Sequence, residues 1–354
     1  MHFGGEKMKV AILAPLPKPA GGIGAWMVRM LEAKLKNGWE VVHVDESAIG
    51  KRTTLVSKRR LAEELKRSIN IWKDLKSALN DTDVKVVHSC IPSSNFAMMR
   101  EYICARITKK RGRKFIIHYR CTVSAYTKGK IGYFILKKLT YLADFAMVLN
   151  SESKEIVEKY SKAKAAIIPN FVNSDTVYQK GEKEISDTVK TVLFVGGVFP
   201  KKGAYQILDA AKHFPDINFR LIGHVATDFA DIPENFILVG EKSKNEVDEE
   251  MKNADMFVFP SWSEGFSNAL VEAMSKGLPC VATNLSANCD MLEDRGGIIV
   301  PVKDSDALID AIEKIKDDKE LRQSMSDFNI DKVNTYYTDK AVLDQYVDVY
   351  ESLL

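Results

Sequence analysis

Two glutamates eight residues apart, Glu264 and Glu272, stand in the stretch of this 354-residue chain where residue types and spacing best fit chemistry. The stretch, 254–283, reads ADMFVFPSWSEGFSNALVEAMSKGLPCVAT. Its apolar run at 256–259 predicts a buried strand ending at Pro260, and a polar loop at 261–265 follows. A helix is predicted over 267–276, closed by Gly277 in the left-handed conformation. Glu264 then lies at the carboxyl edge of a strand, where open α/β sheets bind ligands. The first amides of the helix, at Phe266, Ser267 and Asn268, have no intrahelical partner and favour an anion. Beside such an anion, with Gly265 between, Glu264 can accept hydrogen bonds from attached hydroxyl groups. Glu272 falls more than a turn into the helix, wrapped by Leu270, Val271, Ala273 and Met274. A carboxylate so placed is costly unless hydrogen-bonded, and the two hydroxyls of a ribose are suitable partners. The plainer alternatives are a surface glutamate paired with Lys276 four residues on, and an exposed loop charge at Glu264. The spacing alone is weak evidence. The surrounding strand, glycine loop, helix and Gly277-Leu278-Pro279 restart favour the ligand-binding alternative.

Two further loops have the composition to meet phosphate. Residues 193–203 read LFVGGVFPKKG, with Gly196 and Gly197 at a strand end and Lys202-Gly203 where a helix starts. A lysine there can reach over a bound diphosphate and neutralise a leaving group; a solvated lysine on a turn is the alternative. Near the start, 17–24 read PKPAGGIG, so Gly21, Gly22 and Ile23 precede a helix and let backbone approach a ligand. An ordinary tight turn accounts for that loop equally well. The 17–24 loop is not G-x-G-x-x-G, so a nicotinamide site is not supported.

These loops need parallel strands to hold them, and the chain alternates short apolar strands with helical stretches throughout. In the first half strands are predicted at 9–16, 40–44, 84–88, 114–118, 145–149 and 165–168, with a helix over 24–37 closed by Asn37-Gly38. The pattern restarts at 191–195, 218–222, 236–239, 256–259, 280–283 and 297–300. The expectation is an α/β protein of two doubly wound lobes, 1–170 and 171–335, joined through the polar stretch 169–190. A final segment, 336–354, carries an amphipathic helix with Val342, Leu343, Tyr346, Val347 and Tyr350 at helical spacing.

Composition narrows the class. Hydrophobic content of 45% and charged content of 28% are those of a globular chain, and no run reaches the roughly 18 apolar residues needed to cross a bilayer. Residues 1–7 read as an extension before a start at Met8. Cys90, Cys104, Cys121, Cys280 and Cys289 are odd in number and show no C-x-x-C pair, which speaks against a disulfide framework and a zinc site and for a reducing, cytoplasmic compartment. The net charge of +3 hides an asymmetry: residues 1–170 hold 32 Lys and Arg against 15 Asp and Glu, and the remainder is acidic. A basic lobe suits an anionic partner.

These features together resemble the family 4 retaining glycosyltransferases of GT-B fold, over nearly the whole chain and most specifically over 191–302. The resemblance is carried by Gly21-Gly22-Ile23, His118 at a strand end, ADFAMVLNSESK at 143–154, Ile168-Pro169-Asn170, Leu221-Ile222-Gly223, the Glu264/Glu272 pair and Gly277-Leu278-Pro279. It implies two Rossmann-like lobes facing a cleft, with the C-terminal helix crossing back to the first. It implies that Glu264 binds the transferred sugar and that residues 265–268 contact sugar and phosphate. Glu272 would hold the ribose, Lys202 the diphosphate, and the backbone near Val239-Gly240 would lie by the base. His118 would contact the donor sugar, a strand-end core histidine being the alternative. Two positions depart from the family: Gly197 stands where an arginine is usual, and Leu285-Ser286-Ala287-Asn288 replaces a loop with a glycine pair. Lys201 is a possible substitute for the missing charge.

The resemblance implies retention of anomeric configuration, a phosphate oxygen as the acceptor of the proton, and no metal or other cofactor. Asp81-Thr82-Asp83 has the spelling of a metal motif but precedes a strand and reads as a turn. The acceptor is expected to be a glycan or lipid-linked molecule of cell-surface polysaccharide or lipopolysaccharide synthesis. Two basic stretches, 58–67 and 126–138, fit peripheral contact with an anionic membrane, or two packed helices with solvated lysines. Other readings are a nucleotide-sugar-binding protein without transfer, a GT-B epimerase or phosphorylase, and a nucleic-acid module. The last lacks the aromatic-basic interleaving of such modules.

Overall fold

The computed structural model describes residues 8–17, 22–48, 61–91, 95–125, 129–160 and 163–354. Chain contacts divide it into two compact units, Met1–Asn170 with Val342–Leu354, and Phe171–Ala341.

The first unit is built from β1 (Lys9–Ala14), α1 (Gly22–Glu32), β2 (Glu40–Asp45), α2 (Leu61–Ala78), β3 (Val84–Ile91), α3 (Asn95–Lys110), β4 (Lys114–Tyr119), α4 (Lys130–Leu142), β5 (Phe145–Val148), α5 (Ser151–Tyr160) and β6 (Lys164–Ile167). Its six described strands are all parallel, in the order β2-β1-β3-β4-β5-β6. Strand order reverses between β1 and β3, the switch point where such sheets open a crevice at their carboxyl ends. The strands are apolar because helices cover both faces: Val10 to Ala14, Val86, Val87 and Phe115 to Ile117 are fully buried.

The second unit contains β7 (Thr191–Val195), α6 (Ala204–His213), β8 (Asn218–Ile222), β9 (Phe236–Gly240), α7 (Lys244–Asn253), β10 (Met256–Phe259), α8 (Asn268–Ser275), β11 (Cys280–Thr283), α9 (Ser286–Leu292), β12 (Gly297–Val300), α10 (Ser305–Asp317) and α11 (Lys319–Tyr336). Its six described strands are again parallel, in the order β12-β11-β10-β7-β8-β9. The switch point here falls between β7 and β10. The last helix, α12 (Asp339–Glu351), spans the division at Val342 and returns the chain to the first unit. Lys36 bonds Asp348 at 2.5 Å, Asn37 bonds Glu351 at 2.8 Å, and the His88 ring meets the Tyr350 hydroxyl at 2.8 Å.

Differences from the sequence-based expectation are local. The first strand stops at Ala14, short of the prolines Pro15 and Pro17. The first helix ends at Glu32, five residues early, and Asn37 and Gly38 make a separate left-handed turn at φ 58° and 72°. The third strand runs on to Ile91 through the buried Ser89 and Cys90. Asp81-Thr82-Asp83 is a turn: Asp81 Oδ1 accepts from the Asp83 amide at 2.9 Å and Oδ2 from Lys9 at 2.8 Å. All five cysteines are free thiols. No described helix is long and apolar enough to cross a membrane.

Candidate donor-sugar site

Adjacent strands bring Lys202 and Glu264 together. β7 and β10 are in parallel register, Val192 against Met256 and Leu193 against Phe257, so the loops after them leave the same sheet edge at the switch point. After β7, Pro200-Lys201-Lys202 form a single 3-10 turn ended by Gly203 at φ 81°. A Cβ at Gly203 would stand 2.3 Å from the Pro260 carbonyl oxygen, so only glycine lets the two loops pack this closely. The Trp262 amide then donates to the Lys201 carbonyl at 2.9 Å. Within that clasp the Lys202 ammonium forms an ion pair with Glu264 Oε1, and the Ser261 hydroxyl donates to the same oxygen at 2.7 Å. Glu264 keeps 13% of its side chain exposed and Lys202 25%, so the pair sits at a surface that a ligand can reach.

The helix behind the loop is held from the side. Ser267, its N-terminal flanking residue, makes no side-chain cap because its hydroxyl donates to Asn288 Oδ1 at 2.8 Å. Asn288 Nδ2 donates in turn to the Thr283 carbonyl at 2.9 Å. The positive end of α8 thus follows directly on the Glu264 loop, with Gly265 between, and is not capped by the Ser267 side chain. Phe266 is buried against Tyr337, with ring centroids 5.9 Å apart. Glu272 is half-buried on the next turn, between the buried Val271 and Ala273. Lys276, the expected surface partner of Glu272, instead bonds Asp248 at 2.8 Å and the Thr176 carbonyl, and stands over Tyr178.

Gly197 has a neighbour that the sequence did not reveal. A Cβ there would lie 2.5 Å from Cε1 of Phe199, so the Phe199 ring fills the space that a longer residue at 197 would need. Val239 lies half-buried near the end of β9, the edge strand beyond β8. Gly197, Lys202, Glu264 and the start of α8 follow strand ends at the carboxyl edge of the second sheet, and Glu272 lies further along α8.

The other nominated residues belong to the first unit. Gly21 lies outside the described residues. Gly22 is exposed and Ile23 half-buried at the start of α1, and Gly24 packs on the chain at Leu16-Pro17. His118 is fully buried, so in this structure it offers no surface for the implied sugar contact. Its Nδ1 is 3.0 Å from His88 Nε2 and its Nε2 3.3 Å from Arg120 Nη1, among the rings of Trp26 and Tyr346. Burial, with the Arg120 charge beside it, pushes the His118 pKa well below its ordinary value, and His88 is lowered to about 3 for the same reasons. His88, Cys90 and His118 bring three atoms of metal-ligand type within 4.8 Å of one another. The ring nitrogens are engaged by each other, by Tyr350 and by Arg120, and that guanidinium opposes a second cation.

Residues 178–331 match the family profile described as "Glycosyl transferases group 1". The chain is 28% identical over 337 residues to the Escherichia coli UDP-Gal:alpha-D-GlcNAc-diphosphoundecaprenol alpha-1,3-galactosyltransferase, covering 82% of this chain and 83% of that one. Sucrose-phosphate synthase from Thermosynechococcus elongatus has the same fold, with a TM-score of 0.75 at 17% identity over 98% of this chain and 99% of that one. So does the Anabaena protein HepE, solved with UDP and glucose, at a TM-score of 0.70 and 15% identity over 98% and 100% of the two chains. The chain therefore has the two-unit, GT-B-type α/β fold of these structures, and its residues 178–331 match the group 1 glycosyl transferases.

Proposed function

We propose that this protein transfers a sugar from a nucleoside diphosphate to a glycan or lipid-linked acceptor, with retention of anomeric configuration and without a metal ion. The Lys202–Glu264 ion pair at the switch point carries the reading. While the site is free, each charge answers the other. A bound diphosphate competes for the lysine, which moves to phosphate oxygens and releases the carboxylate to the hydroxyls of the sugar. The α8 N-terminus and Lys202 then stabilise negative charge on the leaving diphosphate as the bond from the anomeric carbon to phosphate oxygen breaks. The acceptor oxygen forms its bond on the same face, and its proton passes to a phosphate oxygen. Glu272 holds the ribose, and Val239, roughly 10 Å from β7 at two strand spacings, lies toward the base.

The donor class is supported by the name of the Escherichia coli relative, which specifies UDP-galactose and a diphosphoundecaprenol-linked acceptor. An acceptor of that kind resides at a membrane, and the first unit has a matching surface. On α4, Ile131 and Phe134 are 71% and 60% exposed among Lys130, Lys137 and Lys138. On α2, Leu61, Leu65 and Ile69 form a second exposed stripe. We assign these helices to peripheral contact with an anionic bilayer, on the side where the acceptor's lipid lies. Residues 58–60 and 126–128, which complete the two basic stretches, lie outside the described residues.

The test is a panel of UDP-, GDP- and ADP-sugars, scored by thermal shift and donor hydrolysis on the wild type and Glu272→Ala. One donor should raise the melting temperature of the wild type alone. The Gly197 departure favours a second reading, a nucleotide-sugar binder without transfer, and a thermal shift with neither hydrolysis nor transfer would select it.

A further inference from the structure

Arg120 differs from the other deeply buried arginines in having neither a carboxylate nor a set of backbone carbonyls around its guanidinium. Arg100 pairs with Glu46 at 3.0 Å and Glu101 at 2.7 Å, Arg67 pairs with Glu64, and Arg322 donates to four backbone carbonyls. Arg120 is only 9% exposed, yet its partners are the Asn170 side-chain oxygen, a nitrogen of His118 and the face of Trp26, 4.5 Å from its Cζ. No carboxylate contacts it among the described residues, and the residues outside the description contain a single acid, Glu6. Its Nε has no partner. Beside it the buried Tyr346 hydroxyl lies within hydrogen-bonding reach of both Arg120 and the Trp26 indole, the two rings 5.8 Å apart, so the groups around the guanidinium are uncharged.

A desolvated guanidinium is costly without an anion, and arginine meets phosphoryl oxygens with two parallel N–H bonds. The cluster also lies where a ligand of this sheet should: Trp26 is on the helix after β1, Arg120 directly follows β4, and the sheet reverses order between β1 and β3. We infer that Arg120, the most exposed member of this cluster, is a receptor for a phosphoryl oxyanion carried by the acceptor, with Trp26 and Tyr346 positioning its guanidinium. The inference rests on the transfer reading above and specifies its acceptor as phosphorylated. The oxyanion comes from the phosphate that joins an acceptor to its lipid, or from a free diphosphate.

The experiment uses the full chain as wild type, Arg120→Met, Arg120→Lys and Lys202→Met. Melting temperature and affinity are measured with inorganic pyrophosphate, farnesyl diphosphate in detergent, and UDP. Farnesyl diphosphate should bind the wild type and Lys202→Met alike, at least about tenfold more weakly to Arg120→Met, and in between to Arg120→Lys. UDP should shift the melting of Arg120→Met as it does the wild type. Without ligand, Arg120→Met should melt no lower than the wild type, because it removes an uncompensated charge. Pyrophosphate binding as tightly as farnesyl diphosphate makes a free diphosphate the ligand; weaker binding makes it the lipid-linked one. Equal affinity of Arg120→Met and wild type for both diphosphates overturns the proposal, since the guanidinium is then a prop for α12. If Arg120→Met does not fold, the same affinity criterion applies to Arg120→Lys. Should UDP bind while neither diphosphate does, this inference fails and the transfer reading stands; failure of every nucleotide sugar removes the transfer reading itself.

Discussion

Lys202 and Glu264 are 62 residues apart in sequence and paired in space, with the Ser261 hydroxyl on the same carboxylate oxygen. Neither is held by its own loop alone; the clasp of Gly203 against Pro260 sets their separation. Replacing Lys202 by Met should lower kcat by about 10²–10³-fold, the usual cost of losing one group that stabilises a leaving charge. Glu264→Gln should cost a comparable factor, and the double variant far less than the product of the two, because the residues act as a unit. Initial rates of sugar transfer check this, and losses below about threefold in both single variants would remove the pair from the mechanism.

Glu272 is expected to read the ribose. Hydrogen bonds to a charged group contribute about 1.5–3 kcal/mol, so Glu272→Ala should weaken UDP binding by roughly 10–100-fold. The wild type should also discriminate against 2′-deoxy-UDP, and the variant should not. Calorimetric titration of the four combinations is the check, with equal discrimination by both proteins as the contrary result.

Phe199 explains how the chain accommodates glycine at 197, and it makes a prediction about adding the missing charge. Gly197→Arg alone should gain little in donor affinity, because its Cβ would meet the Phe199 ring at 2.5 Å. Gly197→Arg with Phe199→Ala should bind UDP more tightly than Phe199→Ala alone. A single variant that already binds several-fold more tightly would show that the ring yields freely.

The buried histidines predict acid sensitivity. Above pH 6.5 both are neutral folded or unfolded, so they cost nothing. Below it the unfolded chain takes up protons that the folded chain refuses, because His88 is lowered to about 3 and His118 is well below normal. Stability should therefore fall with pH by ~1.4 kcal/mol per pH unit for each histidine as the pH drops below 6.5. His88→Gln should reduce that slope by about one proton, measured by urea unfolding between pH 7 and 4. An unchanged slope would mean the ring is protonated in the folded protein.

Transfer should persist in excess EDTA at an unchanged kcat, since Lys202 and the α8 terminus are assigned the charge stabilisation. Loss of rate restored by Mg²⁺ would reject the metal-free assignment.

The second unit was largely legible because its strands are short apolar runs bounded by Gly, Pro and polar turns. Thr191–Val195, Asn218–Ile222, Met256–Phe259, Cys280–Thr283 and Gly297–Val300 coincide with the expected ranges. The pairing of Lys202 with Glu264 was not legible, since it depends on which strands are neighbours. Its one local signal was Ser261, three residues before Glu264. The burial of His118 was not legible for a related reason: its strand position marks a sheet edge, but Trp26 and Tyr346 arrive from remote segments and close over it, beside its near neighbour Arg120. Arg120 itself looked like one more cation in a basic lobe, because nothing local tells a buried guanidinium from a solvated one.

The return of the last thirteen residues, Val342–Leu354, makes the second unit an insertion within the first. Order of synthesis and order of completion are therefore inverted. A nascent chain that has reached Ala341 holds every residue of the later unit, while the earlier one still lacks Tyr346 and Tyr350 against Trp26 and His88. The amino-terminal unit must wait, part-built and basic, for a finishing piece made last, and a chaperone acting on this protein would find its substrate there.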